Sequence, residues 1–208
     1  MNIHAPSQTE ARSTTRAAEG LGRRRFTTAE LEAMAAAGIL ADHERIELIA
    51  GEVVPMSPKG NRHEILRTRL AKDLTLRLGQ TLTVSSEPQF NVNDDTHYVP
   101  DILVHDAETD APFVTGPNAL LVIEIAESSL AFDLDRKATL YSIAGVREYW
   151  VIDVATLVIH AHLQPRNGTY AEFKTFSQSE TVTARHAPAL KLCLDDMALP
   201  WTRDEKEN

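Results

Sequence analysis

Apolar residues recur along the chain with two different periods, and the changes of period mark its elements. Leu66, Leu70, Leu74 and Leu78 return every four residues and Gly79 follows, which predicts an amphipathic helix over about 61–78. Thr27-Thr28-Ala29-Glu30 reads as a capping box with Thr27 as N-cap. Phe26 and Leu31 are placed as a hydrophobic staple and Gly38 as a stop, so a short helix is predicted over about 28–37. Arg45 to Pro55 reads as a hairpin, with Ile46, Leu48 and Ile49 before Ala50-Gly51 and Val53 and Val54 after it. Ser57-Pro58-Lys59-Gly60 is a loop.

Strands are predicted at 81–86, 88–93, 99–105 and 119–126, punctuated by Asp94-Asp95 and Thr115-Gly116-Pro117-Asn118. A helix over about 134–144 follows, with Asp133 as N-cap and Gly145 at its end. Strands at 148–153, 156–163 and 170–176 then form a meander. The order predicts a mixed α/β (α+β) domain whose sheet is partly antiparallel and flanked by helices. The strand at 119–126, the helix at 134–144 and the strand at 148–153 suit one right-handed crossover. Residues 1–24 lack apolar periodicity and are expected to be a disordered leader, with one domain over 25–202 and a charged tail over 203–208.

Composition narrows the class. With 208 residues, 43% of them hydrophobic and 25% charged, the chain can bury a full core. The longest apolar run, Ala119 to Ala126, is interrupted by Glu124, far short of the ~20 residues that span a membrane. Residues 1–25 hold no apolar signal-peptide core. A single cysteine, Cys193, excludes an internal disulfide framework and a cysteine-built zinc site, and a core position is expected for it. A cytoplasmic location is the expectation. Net charge is −9, with +3 on residues 1–25 and −12 on the remainder. Such a domain is a poor non-specific nucleic-acid binder unless its carboxylates await metal ions.

Three residues look wrong for a plain scaffold. Glu124 interrupts Leu120-Leu121-Val122-Ile123-Glu124-Ile125-Ala126, a run that predicts a central strand covered on both faces. A carboxylate there is costly unless it is paired or binds metal; a strand with one solvated face is the alternative. Lys137 falls about 300° around the helical wheel from Leu134, inside the apolar arc with Ala138 and Tyr141. Asp135, Arg136, Thr139 and Ser142 occupy the polar face. A core-facing lysine wants an anionic partner or a task, unless it snorkels at the edge of the arc. Asp101, after Pro100, opens Ile102-Leu103-Val104, where turn chemistry explains it as well as function does. Glu47, between Ile46 and Leu48, fits a solvated strand face equally well. Oxygen ligands of this type suit Mg²⁺ or Mn²⁺, and a nearby lysine could orient a water or stabilise developing charge.

The ordered set is more specific than any piece. It comprises Arg45-Ile46-Glu47-Leu48-Ile49-Ala50-Gly51-Glu52-Val53, Met56-Ser57-Pro58, His63, Val99-Pro100-Asp101-Ile102 and Val122-Ile123-Glu124-Ile125. It continues through Ser128-Ser129, Asp133, Lys137, Tyr141, Ala144-Gly145-Val146 and Glu148-Tyr149-Trp150-Val151-Ile152-Asp153. From Phe26 to Trp201 the chain resembles the Uma-type restriction endonuclease family of the PD-(D/E)XK nuclease superfamily. The resemblance implies a restriction-endonuclease-like core and Mg²⁺- or Mn²⁺-dependent hydrolysis of DNA phosphodiesters. It implies Asp101 and Glu124 as the metal-binding acids, Glu47 as an additional acid and Lys137 as the catalytic lysine. The superfamily's usual lysine position, two residues after the glutamate, is Ala126 here. The sequence Glu127-Ser128-Ser129 also departs from the Ser-Pro-Ser common among homologues.

Other candidates carry bland readings. His160 and His162 share one strand face, expected to be exposed, although they could bind metal. His63 is expected at the surface, with a phosphate contact as the alternative. The Arg23-Arg24-Arg25 run is expected to be solvated, although such an arm could touch nucleic acid. A homodimer would help cut both strands of a duplex. The rival function is a catalytically inactive nuclease-fold module that binds nucleic acid or a protein partner; a purely structural domain is a third.

Overall fold

A computed structural model of the chain describes residues 21–40, 45–56 and 58–202. Helix α1 (Thr28–Ala36) begins with the expected capping box: Thr27 accepts from the Glu30 amide, and Glu30 accepts from the Thr27 amide. Strands β1 (Ile46–Ile49) and β2 (Glu52–Pro55) form a hairpin. Its turn residues, Ala50 and Gly51, have φ values of 50° and 79°, the left-handed pair that a tight hairpin demands. Helix α2 (Asn61–Leu78) buries all four of its periodic leucines.

Strands β3 (Leu82–Ser86), β4 (Phe90–Asn93), β5 (Thr96–Tyr98) and β6 (Ile102–Asp106) follow. Strand β5 escaped the sequence pattern because three residues are too few to show a period. The strand expected at 99–105 starts only at Ile102. Pro100 has no amide hydrogen for a ladder, so Val99–Asp101 is irregular and free to present a side chain. Strand β7 (Leu121–Ala126) is buried along its whole length. A continuous helical stretch follows: α3 (Leu130–Phe132), a π-helical turn (Asp133–Lys137) and α4 (Ala138–Ile143). Strands β8 (Glu148–Asp153), β9 (Val158–Arg166) and β10 (Thr169–Phe176) form the expected meander. Short strands β11 (Val182–Thr183) and β12 (Lys191–Leu192) pair near the C-terminal end.

The six-stranded central sheet has the order β10-β9-β8-β7-β6-β3. Within it only β7 and β8 pair in parallel, and the α3–α4 stretch connects them. A second, four-stranded sheet has the order β2-β1-β5-β4. Alternation along β7 divides the core in two. Leu121, Ile123 and Ile125 join the α2 leucines and Trp150. Val122 and Ala126 join Tyr141, Tyr149, Phe90 and Tyr98. Glu124, by the period of two, lies on this second face with Val122 and Ala126.

The expected leader is described only from Leu21 onward, and the expected tail over 203–208 lies outside the described residues. The arginine run is solvated, as expected, and its exposed side chains make surface ion pairs. Arg24 pairs with Glu30 and Arg25 with Asp95, while Arg23 approaches Glu52 at 3.8 Å. Cys193 is half-buried rather than core, and its thiol donates to the Gln178 carbonyl at 3.3 Å. No helix among the described residues is long and apolar enough to cross a membrane.

Candidate functional site

The central sheet and the hairpin β1–β2 meet around a cavity of about 240 Å³. Glu47, Lys59, His63, Asp101, Glu124, Asp133 and Lys137 all line it. Its polar walls are deeply set: relative exposure is 2% for Asp101, 4% for Glu47, His63 and Glu124, and 8% for Lys137. Four residues with no obvious link in the sequence are thus brought to one place.

Glu124 reaches the cavity from the middle of β7. Its Oε1 accepts from Lys137 Nζ at 2.9 Å and from the Tyr141 hydroxyl at 2.8 Å. Lys137 also lies 3.4 Å from Glu47 Oε1. The apolar-arc placement of Lys137 is therefore observed, and its anionic partners are Glu124 and Glu47. A lysine at position 126 would point to the same face as Glu124, because strand side chains alternate. Position 126 is alanine, and the ammonium beside Glu124 comes instead from the helix, on Lys137.

Glu47 is not on a solvated face. Glu47 and Leu48, on opposite sides of β1, are both buried, and Glu47 Oε1 also accepts from the Val99 amide at 3.2 Å. Ser142, expected on the polar face of the helix, is buried too and donates to the Thr169 carbonyl at 2.6 Å.

Asp101 sits where the β6–β7 ladder stops. Pairing ends at Ile102 with Ile123, and the Ile125 amide donates instead to Asp101 Oδ2 at 2.8 Å. His63 Nε2 lies 3.0 Å from the same oxygen, so the surface position expected for His63 is wrong: it is buried in the first turn of α2, facing Asp101. Lys59 donates to Asp101 Oδ1. Nothing in its sequence context marked this lysine.

Asp133 was misplaced by the sequence pattern. The helix begins at Leu130, so Asp133 is not its N-cap but lies inside the π turn, buried, with its carboxylate accepting from Ser129 Oγ. The Ala138 amide bonds back to the Asp133 carbonyl, five residues earlier, as a π turn requires. The signal available was spacing: Asp133 and Lys137 are four apart and share a helix face.

Burial is the main force on these groups. It raises Glu124, helped by Asp101, Asp133 and Glu47 against the pull of Lys137, to about 8. Burial also raises Asp133. It works against the charged form of Asp101 as well, but the contacts with His63 and Lys59 win and hold that carboxyl below the usual range. Burial likewise disfavours the Lys137 ammonium, yet Glu124, Glu47 and Asp133 together hold its pKa above the usual lysine value.

The donor chemistry fits a hard divalent cation. Glu47, Asp101 and Glu124 offer carboxylate oxygens on one cavity, and no cysteine is among its walls. In the conformation described, however, no three such side chains among the described residues are gathered around one point. The protein's own ammonium groups, on Lys59 and Lys137, lie against these acids.

His160 and His162 are not an exposed metal pair. His162 is buried among Tyr149, Tyr170 and Phe173, and His160 stacks on Phe173.

Comparison with known proteins agrees with this architecture. A solved structure from Anabaena variabilis, described as a “putative nuclease belonging to DUF820”, is similar with a TM-score of 0.60 at 17% identity. The match covers 74% of this chain and 89% of that one. Protein sll1609 of Synechocystis sp. is 29% identical over 118 residues, covering 53% of this chain and 67% of that protein. The sequence pattern of the family described as “Uma2: Putative restriction endonuclease” matches residues 28–195. That span takes in every element from α1 to β12, and the chain belongs to the Uma2 family.

Proposed function

We propose that the protein is a divalent-metal-dependent DNA endonuclease that hydrolyses phosphodiester bonds. The observation that carries this reading is the buried Glu124–Lys137 contact at the wall of a cavity shared with Asp101 and Glu47. A carboxylate set in the middle of a fully buried strand is costly unless it is paired or binds metal. Asp101 and Glu124, with Glu47, would hold Mg²⁺ or Mn²⁺. When bound, such an ion supplies Lewis acidity and lowers the pKa of a coordinated water.

The chain's own groups supply the rest. Lys137 places a positive charge beside Glu124 and orients the attacking water or stabilises charge developing on the phosphate. Tyr141, four residues further along the helix, donates to the same Glu124 oxygen. The Ile125 amide and His63 fix Asp101. DNA as substrate and a homodimer that cuts both strands belong to this proposal.

The test is cleavage of supercoiled plasmid by the purified protein with Mg²⁺, Mn²⁺ or EDTA. The expected result is nicking that needs metal and disappears in Asp101→Ala and Lys137→Ala. No metal-dependent cleavage by well-folded wild type would defeat the catalytic reading. It would favour a nuclease-fold module that binds without turnover. The net charge of −9 and the engagement of both Asp101 oxygens by protein groups favour that second reading.

A further inference from the structure

Both oxygens of Asp101 are taken by the protein itself. Oδ2 faces the Ile125 amide at 2.8 Å and His63 Nε2 at 3.0 Å, and Oδ1 accepts from Lys59. Lys59 lies between β2 and α2, one residue before the Gly60 N-cap, and its side chain is only 10% exposed. Its ammonium has a second partner, Glu87 Oε1, at 2.7 Å. Glu87 stands in the turn between β3 and β4, where it also pairs with Arg45.

We propose that Lys59 is an internal counter-cation that competes with the divalent ion for Asp101 and withdraws toward Glu87 when the ion binds. The inference rests on the metal-dependent reading above. An ammonium and a divalent cation at one carboxylate oxygen repel strongly in a buried site, where screening by water is weak. Lysine suits such an exchange. Its charge is a point at the end of a flexible stem, so it can leave one carboxylate without disturbing the backbone. Glu87, already 2.7 Å from the ammonium, keeps the departing charge paired. Lys137 differs, since it is held between Glu124 and Glu47 from a helix packed on the sheet. The two lysines thus have separate tasks: Lys137 stays with the acids, and Lys59 holds Asp101 in the metal-free protein.

The test is calorimetric titration of the full chain with Mn²⁺ and no DNA, on wild type, Lys59→Met, Lys59→Arg and Asp101→Asn. Lys59→Met should bind Mn²⁺ about tenfold more tightly than wild type, because the competing charge is gone. Lys59→Arg should stay within about threefold of wild type, because it keeps the charge. Asp101→Asn should lose binding. Thermal unfolding gives an independent readout. Lys59→Met should melt below wild type without Mn²⁺ and gain more from saturating Mn²⁺. Lys59→Gln serves if the methionine variant does not fold. Unchanged or weaker Mn²⁺ binding by the neutral variants, with Asp101→Asn still losing it, overturns the role of Lys59 and leaves the metal site standing. Absence of Mn²⁺ binding in wild type and in every variant overturns both.

Discussion

Glu124 and Glu148 are buried carboxylates on the paired strands β7 and β8, and their partners separate them. Glu148 accepts from Trp150 Nε1 and from the Arg185 and His186 amides, so its oxygens are bound by fixed donors of the scaffold. Glu124 depends on a hydroxyl and an ammonium, both carried by side chains of the α3–α4 stretch that lines the cavity. Removing one member of a buried pair leaves the other charge uncompensated. Lys137→Met should therefore cost about 3 kcal/mol in urea unfolding without metal. Glu124→Gln in the same chain should recover part of that loss; fully additive losses would show that the two side chains do not interact. His162 gives a separate prediction. Burial lowers its pKa to about 4, from the ordinary histidine value of 6.5. Below pH 6.5 the unfolded chain takes up a proton that the folded chain refuses, so stability falls as pH drops from 6.5 toward 4. The contribution is about 1–3 kcal/mol. His162→Phe should flatten that acid limb, and an unchanged pH profile would contradict the assignment.

At the scale of elements, the site depends on three terminations. The β6–β7 ladder stops early enough to leave the Ile125 amide for Asp101. The π turn widens the helix over Asp133–Lys137 and directs both side chains into one cavity. The far end of that helix is seated on the loop before β7. A Cβ on Gly116 would lie 1.7 Å from the Ala144 carbonyl oxygen, a backbone atom that cannot step aside. Gly116→Ala should therefore displace the end of α4 and cost about 3 kcal/mol by overpacking. Differential scanning calorimetry would check it, and a change under about 0.5 kcal/mol would mean that the loop yields instead.

For the whole molecule, the two sheets and α2 enclose the cavity within the span of the family match. We expect residues 21–202 to carry the full stability. A chain cut to that range should melt within about 3 °C of the full length, a difference below ~1 kcal/mol at this size. A larger drop would place stabilising contacts in the residues removed. Glu47 and Glu124 come from strands of two different sheets, Asp101 from the irregular segment before β6, and Lys137 from a helix.

Local patterns suffice for what is local. The leucine period determined α2, the Thr27–Glu30 capping box determined the start of α1, and the buried run 121–126 determined the central strand. Glu124 and Lys137 were legible because each breaks an apolar pattern, and a charge in an apolar setting is costly enough to need a reason. Glu47 and Asp101 break no such pattern, so their residues alone left a solvated face and a turn as equal readings. Only tertiary structure decided that Glu47 is covered, since it faces the cavity it shares with Glu124 and Lys137. Only tertiary structure turned His63 inward and placed Lys59 on Asp101, because those contacts join residues 38 and 42 positions apart. The misread Asp133 has the same cause. A helix start is a competition between caps, and packing of the π turn against β7 settled it four residues upstream of the aspartate.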